Sequence, residues 1–234
     1  MSTSEHIVFI ACFWYYLPMN NQTSLSRAER QRLQLQADII EAAFIEFSER
    51  GYHQTAISDI AKRLGIGHGT FYRHFENKRD ILEKVIVDTM LKIAALLAEE
   101  NAPDAVNSLQ AYREQCERIS ARFQEFAQAN PRALRLILME ATSIDAEMTV
   151  RVSNLLHMSG LMTAGYMKNG VDKGFLRADL DVEATGHAIV GMIIGGAMRF
   201  LSAPQDTTAL ARYGDAVINI MMPGMASGNQ KIKN

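Results

Sequence analysis

Seven consecutive residues, His68-Gly69-Thr70-Phe71-Tyr72-Arg73-His74, place donors and acceptors in the density that reading a nucleic acid requires. Base edges in the major groove demand side chains that a helix can carry into it, and His68, Thr70 and Arg73 qualify. Tyr72 and His74 suit phosphate oxygens, as do free backbone N–H groups near Gly67 to Gly69 at a helix start. Gly69 has no side chain and lets a sugar-phosphate chain come close. Lys78 is expected to clamp one further phosphate, and Thr55 another, each from a helix start. From Gly67 to Arg79 the cations Arg73, Lys78 and Arg79 stand against Glu76, a local excess of two positive charges in a chain whose net charge is −2.

The elements that must position these residues are two short helices around a turn. Ile57, Ile60, Ala61 and Leu64 fall at i, i+3, i+4 and i+7, which predicts a helix from Ala56 to Leu64 with Thr55 as its cap. Gly65 occupies the place where helices end in a left-handed residue, a conformation open to glycine without steric cost. A second helix follows, with Phe71 and Phe75 four apart and turned inward. Helix, glycine turn and a helix with small, aromatic and basic residues outward is the pattern of a DNA-reading helix-turn-helix. The bland alternative is a helical hairpin with a solvated face.

Other chemistries find little support. The run Gly65-x-Gly67-x-Gly69-Thr70 lacks the preceding strand and the lysine of a phosphate loop. His68 and His74 are six apart, which is not the spacing of a shared helical metal site. No nucleophile-base-acid order stands in a recognisable elbow. No cofactor, no metal and no catalytic residue is therefore expected, and the chain does not read as an enzyme.

The run Gly51-Tyr52, Thr55, Ile57, Ile60-Ala61, Leu64-Gly65-Ile66, Gly69-Thr70-Phe71-Tyr72, His74-Phe75, Lys78 and Leu82 resembles the N-terminal domain of the tetracycline-repressor (TetR) family over about residues 33–93. The resemblance implies an all-α homodimer of about nine helices. It further implies a transcriptional regulator, usually a repressor, that leaves its double-stranded DNA operator when a small molecule binds the C-terminal domain. By it Thr55, Gly67, His68, Gly69, Thr70, Tyr72, Arg73, His74 and Lys78 are the DNA-facing positions. Gly67 and His68 depart from the capping serine or threonine and the lysine or arginine common there, which bears on the number of phosphate contacts. The competing readings are a helical protein–protein interaction module and a TetR-like activator without ligand control.

Along the rest of the chain, glycine and proline are sparse, 15 and 5 in all, and no stretch after residue 25 alternates with period two. A first helix runs from Ser26 or Ala28 to Arg50, with Leu33, Ala37, Ile40, Phe44 and Phe47 as its apolar stripe and Arg27, Arg30 and Arg32 at its front, placed to meet phosphates or equally to form a solvated face. After the two short helices a fourth starts at Glu76 or Asn77 and ends before Pro103. Further helices are expected from Asp104 to about Ala129, from Pro131, from Asp145 to Lys173, from Val182 to Leu201 behind Asp181 as N-cap, and from Thr207 to Met222, stopped by Pro223-Gly224. The organisation predicted is a helix-turn-helix domain over 26–78, a larger helical effector-binding and dimerisation domain over 79–223, and a frayed tail over 224–234. Residues 1–25 are expected to be a disordered or mis-started extension: Ile7 to Leu17 is apolar but too short to span a bilayer, and its rival reading is a surface anchor.

Methionines number 13 and cluster late in the chain. Methionine adapts to varied apolar partners, so Met139, Met158 and Met162, with Phe123, Phe126 and Tyr166, are candidate lining of an apolar effector pocket. Ala184, Ala188, Gly191 and Gly195 make a stripe of small residues, a candidate dimer seam together with Tyr213 and Val217. The apolar run from Ala188 to Met198 is read as too short to cross a membrane. Two cysteines far apart, Cys12 and Cys116, exclude a disulfide framework, and a reducing cytoplasm is the default.

Overall fold

Ser26 opens the first helix with a reciprocal cap: its hydroxyl accepts from the Glu29 N–H at 3.2 Å, and the Glu29 carboxylate accepts from the Ser26 N–H at 2.8 Å. The computed structural model describes residues 26–98, 102–203, 205–206 and 208–228, so the expectations for residues 1–25 and 229–234 lie outside the described residues. Within them the chain is all-α, with nine α-helices and no strand. These are α1 (Arg27–Arg50), α2 (Ile57–Leu64), α3 (His68–Phe71), α4 (Lys78–Ala98), α5 (Leu109–Ala129), α6 (Pro131–Arg135), α7 (Ala146–Asp172), α8 (Val182–Ser202) and α9 (Ala209–Met225). A π-helical turn, Leu136–Glu140, and a 3₁₀ turn, Ala141–Ser143, carry α6 towards α7.

Several punctuation marks act as the sequence implies. Gly51, Gly65 and Gly174 take positive φ at helix ends. Asp145 and Asp181 cap α7 and α8 by accepting from the N–H groups of Met148 and Ala184.

Others differ. The buried side of α1 is Ile39, Ala42, Ala43, Glu46 and Phe47, whereas Leu33 is 42% exposed, so the stripe read from spacing lies rotated from the true contact face. α5 begins at Leu109 behind Ser108 as its cap, not at Asp104. The carbonyls of Asp104 and Val106 are taken by the Lys173 ammonium, at 2.9 Å each, and that of Val106 also by Asn169, which holds this connection in turns. Pro223 lies inside α9 rather than ending it. The tail directly after is pinned: the Arg177 N–H donates to the Met225 carbonyl at 3.0 Å, and the Ser227 N–H to the Phe175 carbonyl at 3.3 Å. The fraying expected from residue 224 therefore does not begin there.

The expected boundary at residue 78 is not a break in the core. One apolar cluster joins Phe47, Ile60, Phe71, Phe75 and Ile81 to Leu136, Ile137, Met148 and Val152. Ion pairs reinforce the junction. Arg79 meets Asp145 at 2.9 Å, Glu147 at 2.9 Å and Glu83 at 3.2 Å, while Arg151 meets Glu83 at 3.0 Å and Glu147 at 2.9 Å. A second cluster, around Tyr112, Met167, Phe175, Ile189 and Met222, fills the body between α5, α7, α8 and α9.

α7 and α8 cross on glycine. A Cβ on Gly186 would collide with the Gly160 carbonyl oxygen and lie 2.9 Å from the Ala164 nitrogen. α8 is, among the described residues, the one helix long and apolar enough to cross a membrane by length and composition. Its Gly186, Ile189, Gly196, Ala197, Phe200 and Leu201 are nonetheless buried in the body.

Candidate nucleic-acid interface

α3 is four residues long and has no stability of its own, since a single turn does not meet the cost of nucleation. Phe71 and Phe75 hold it. They are 0% and 2% exposed, with ring centroids 5.8 Å apart. Anchoring these two rings turns the others out: His68, Gly69, Tyr72 and Arg73 are exposed, and Thr70 and His74 are half-buried. Gly67 precedes the helix in extended conformation and contributes no side-chain cap. Among the described residues the Arg73 guanidinium reaches only the Gly69 carbonyl, at 3.4 Å, and so remains available.

Two of the predicted contacts are occupied inside the fold. Thr55 is 1% exposed, and its hydroxyl donates to the carbonyls of Gly51 (2.9 Å) and Glu46 (3.2 Å). It does not cap α2. There the Asp59 carboxylate accepts from the Ala56 N–H at 2.9 Å. Lys78 also turns inward, its ammonium donating to the carbonyls of Tyr52 (2.9 Å), Thr55 (3.0 Å) and His53 (3.5 Å) and lying 4.4 Å from the centre of the Tyr52 ring. An ammonium has three protons, and all three are directed at carbonyls. The phosphate-clamp expectation for Thr55 and Lys78 is corrected accordingly: both are keystones of the α1–α2 turn.

The local charge is redistributed as well. With Lys78 turned in and Arg79 ringed by carboxylates, Arg73 is the outward cation of the reading segment. α1 supplies a companion. Burial, then the nearby charges of Arg32 and Arg73, holds the His74 imidazole below its ordinary value, so Arg32 stands at the edge of the same surface. No local spacing marks Arg32 as a partner of residue 74, because the two meet only when α1 folds across the motif. Behind the surface, Arg63 ties α2 to α1 through Glu46 (2.7 Å) and Glu49 (2.9 Å).

The candidate effector and seam residues are placed less uniformly. Phe123 and Phe126 pack on an apolar cluster with Leu134 and Phe200, and Tyr166 packs on the body core. Met158 and Met162 are half-buried on α7, and Met139 is 42% exposed on the π turn. The six are thus spread over separate clusters rather than gathered round one space. An open groove of about 320 Å³ lies elsewhere, lined by Ser153, Leu156 and His157 of α7 and His187, Val190, Gly191 and Ile194 of α8. Ala184, Ala188, Gly191 and Gly195 are exposed along α8, with Met198 continuing the row at 39%. Tyr213 instead packs within the chain, its ring against Gly195 and Gly196, and Val217 is half-buried.

Residues 39–85 match the model of the bacterial regulatory proteins, tetR family. The chain is similar to the fatty acid metabolism regulator protein of Bacillus subtilis, with 27% identity over 187 residues, 80% of this chain and 93% of that protein. It is similar also to the HTH-type transcriptional regulator TtgR of Pseudomonas putida, with 27% identity over 190 residues, 79% of this chain and 88% of the other. Its fold matches the crystal structure of the transcriptional regulator FadR from Bacillus subtilis in complex with stearoyl-CoA. The TM-score is 0.68 at 23% identity, covering 80% of this chain and 98% of that one. These relatives are regulators rather than enzymes. Phe71 and Phe75 thus present the His68 to His74 segment outward within residues 39–85, the stretch of this all-α chain that is similar to the bacterial regulatory proteins of the tetR family.

Proposed function

We propose that the chain is a cytoplasmic homodimeric repressor, released from its operator by a small ligand with an apolar body, and that it acts by binding rather than catalysis. The observation that carries this reading is the exposure pattern of the α3 segment: the aromatic pair is buried, His68 and Arg73 face out, and Thr70 is half-buried between them. His68, Thr70 and Arg73 meet base edges. Gly67, Gly69, Tyr72 and His74 meet the backbone, and Arg32 adds a phosphate contact from α1. Two copies of α3 enter successive major grooves about 34–36 Å apart on a near-palindromic site. The exposed small-residue row of α8, with Val217 of α9, forms the seam between copies. The effector acts through α4, which is built into the reading domain by Ile81, Leu82, Val85 and Ile86 and runs on towards the body. The likeness to a fatty acid metabolism regulator makes a long acyl thioester the first effector to try. A ligand shifts the dimer only by its difference in affinity between the two states.

The test is a gel-shift titration on the DNA upstream of the chain's own gene at several salt concentrations, with and without stearoyl-CoA. Sequence-independent binding, or none, sinks the repressor reading. Arg73→Ala is expected to weaken operator binding by about 1–3 kcal/mol and to relax base preference at one position. Lys78→Ala should leave the salt slope unchanged and instead lower the unfolding free energy by about 1–3 kcal/mol, the scale of hydrogen bonds from a charged donor. A slope reduced by about one unit in Lys78→Ala would return that lysine to the phosphates.

His74 gives a second expectation, in pH. Its folded-state pKa is lowered, so the unfolded chain takes up the proton first. This contribution to stability is present above the ordinary value near 6.5 and is lost as pH falls towards the lowered one. A phosphate beside the ring pulls the other way and raises the pKa in the complex. Operator affinity should therefore strengthen as pH falls from about 7.5 to about 5.5, and His74→Gln should flatten that part of the dependence.

A further inference from the structure

Gln115 is the fully enclosed polar side chain of α5, at 0% exposure. Its Nε2 donates to the Ala102 carbonyl at 3.0 Å, in the connection that follows α4. Its Oε1 is buried and has no hydrogen-bond partner among the described residues. Buried amide oxygens are nearly always paired, so an orphan needs an explanation. A flip of the amide gives none, because it would set oxygen against the Ala102 carbonyl oxygen.

The surroundings narrow what can supply the missing donor. Tyr112 lies one turn before Gln115 on α5 and Cys116 follows it directly, close enough to Tyr112 to affect its titration, and Tyr166 of α7 stands close to the thiol. Burial pushes the Cys116 thiol up to about 12 and raises both phenols, so all three are uncharged at neutral pH. Among the described residues the one buried carboxylate is Glu46, far away in the reading domain. A cationic donor brought here would lose its hydration with no buried carboxylate beside it to compensate. A hydroxyl or amide N–H would not.

We infer that Gln115 Oε1 is the polar anchor of the effector site, and that the effector carries an uncharged hydrogen-bond donor at the end of an apolar body. This rests on the effector-released reading above and adds the chemistry of one end of the ligand. It also adds a route. The ligand's donor binds the amide whose other end already holds Ala102, so occupancy stiffens the connection between α4 and α5, at the far end of the helix that enters the reading domain.

The test compares decan-1-ol with decyl methyl ether, which share the chain and the acceptor oxygen but differ in the donor. Binding is followed by calorimetry on the full chain. The alcohol should bind at least about tenfold more tightly than the ether, and Gln115→Leu should bring the alcohol down to the ether's level while leaving ligand-free operator binding intact. Gln115→Met serves should the leucine variant fail to fold. Equal binding of the two probes, binding of neither, or a donor preference that persists in the folded Gln115 variant overturns the inference. Operator release by stearoyl-CoA in wild type and variant alike, with no donor preference, would remove Gln115 and leave the effector reading standing. A donor preference at Gln115 with no ligand altering operator affinity would do the reverse.

Discussion

Phe71→Ala is expected to lower the unfolding free energy by about 3–5 kcal/mol and to abolish operator binding. The range is that of a buried phenylalanine cut to alanine, which loses its transfer free energy and leaves a cavity. The consequence is unusually local here. Phe71 is 0% exposed and packs edge-on to Tyr72 at 5.6 Å and tilted to Phe75 at 5.8 Å. It is the buried residue of a four-residue helix. Without it, Phe75 alone is left to fix which way His68 and Arg73 point. Urea unfolding and a gel shift on the same preparation check both halves. Tyr72→Ala is the control: Tyr72 is 53% exposed, so stability should stay within about 0.5 kcal/mol while DNA affinity falls. Equal stability loss in both variants would mean that α3 is held by its outer face.

Gly186→Val should cost at least about 3 kcal/mol, with a fall in Tm of roughly 6–12 °C for a chain of this size. The atoms that meet the new side chain are backbone: the Gly160 carbonyl oxygen and the Ala164 nitrogen. A flexible side chain could swing away, whereas a helix axis cannot move without opening the whole α7–α8 contact. Gly191→Ala is the matched case. A Cβ there meets nothing within 4 Å in the single chain, and alanine is better than glycine inside a helix by about 1 kcal/mol. Gly191→Ala should thus stabilise the monomeric unit. Gly191→Leu should break the dimer if α8 forms the seam, as sedimentation would show. A Gly191→Leu chain that still pairs would move the seam off this row.

These two glycines show where the sequence speaks and where it does not. Small residues at helical spacing announce a close approach, and α8 has such residues on more than one face. Spacing picked out the row from Ala184 to Gly195, which is exposed. The crossing within the chain uses Gly186 against Gly160, a pair whose members lie on different helices and share no local pattern. The reading motif was legible because its logic is local: Gly65 ends α2 in the left-handed conformation, and Phe71 and Phe75 are one turn apart. Lys78 and Thr55 were misread for the same reason in reverse. Their types suit phosphate, but the carbonyls that claim them belong to the end of α1 and the turn after it. The methionines gave composition without direction. Met139 ends exposed while Met148 and Met167 are sealed in the core, a difference set by where α6 and α7 lie, which no window of sequence contains. Gln115 passed unnoticed because a single glutamine on an amphipathic helix reads as surface.

The apolar cluster that joins Phe47 and Phe71 to Leu136, Ile137, Met148 and Val152 has a consequence for modular exchange. A chimera that keeps this body and takes its first 95 or so residues from a relative inherits half of a jigsaw, with foreign side chains facing Leu136 and Val152. Such a swap should succeed only when the α6–α7 segment travels with the reading domain. The unit of inheritance for operator choice is then discontinuous in the chain, and the reading domain cannot be traded as a cassette.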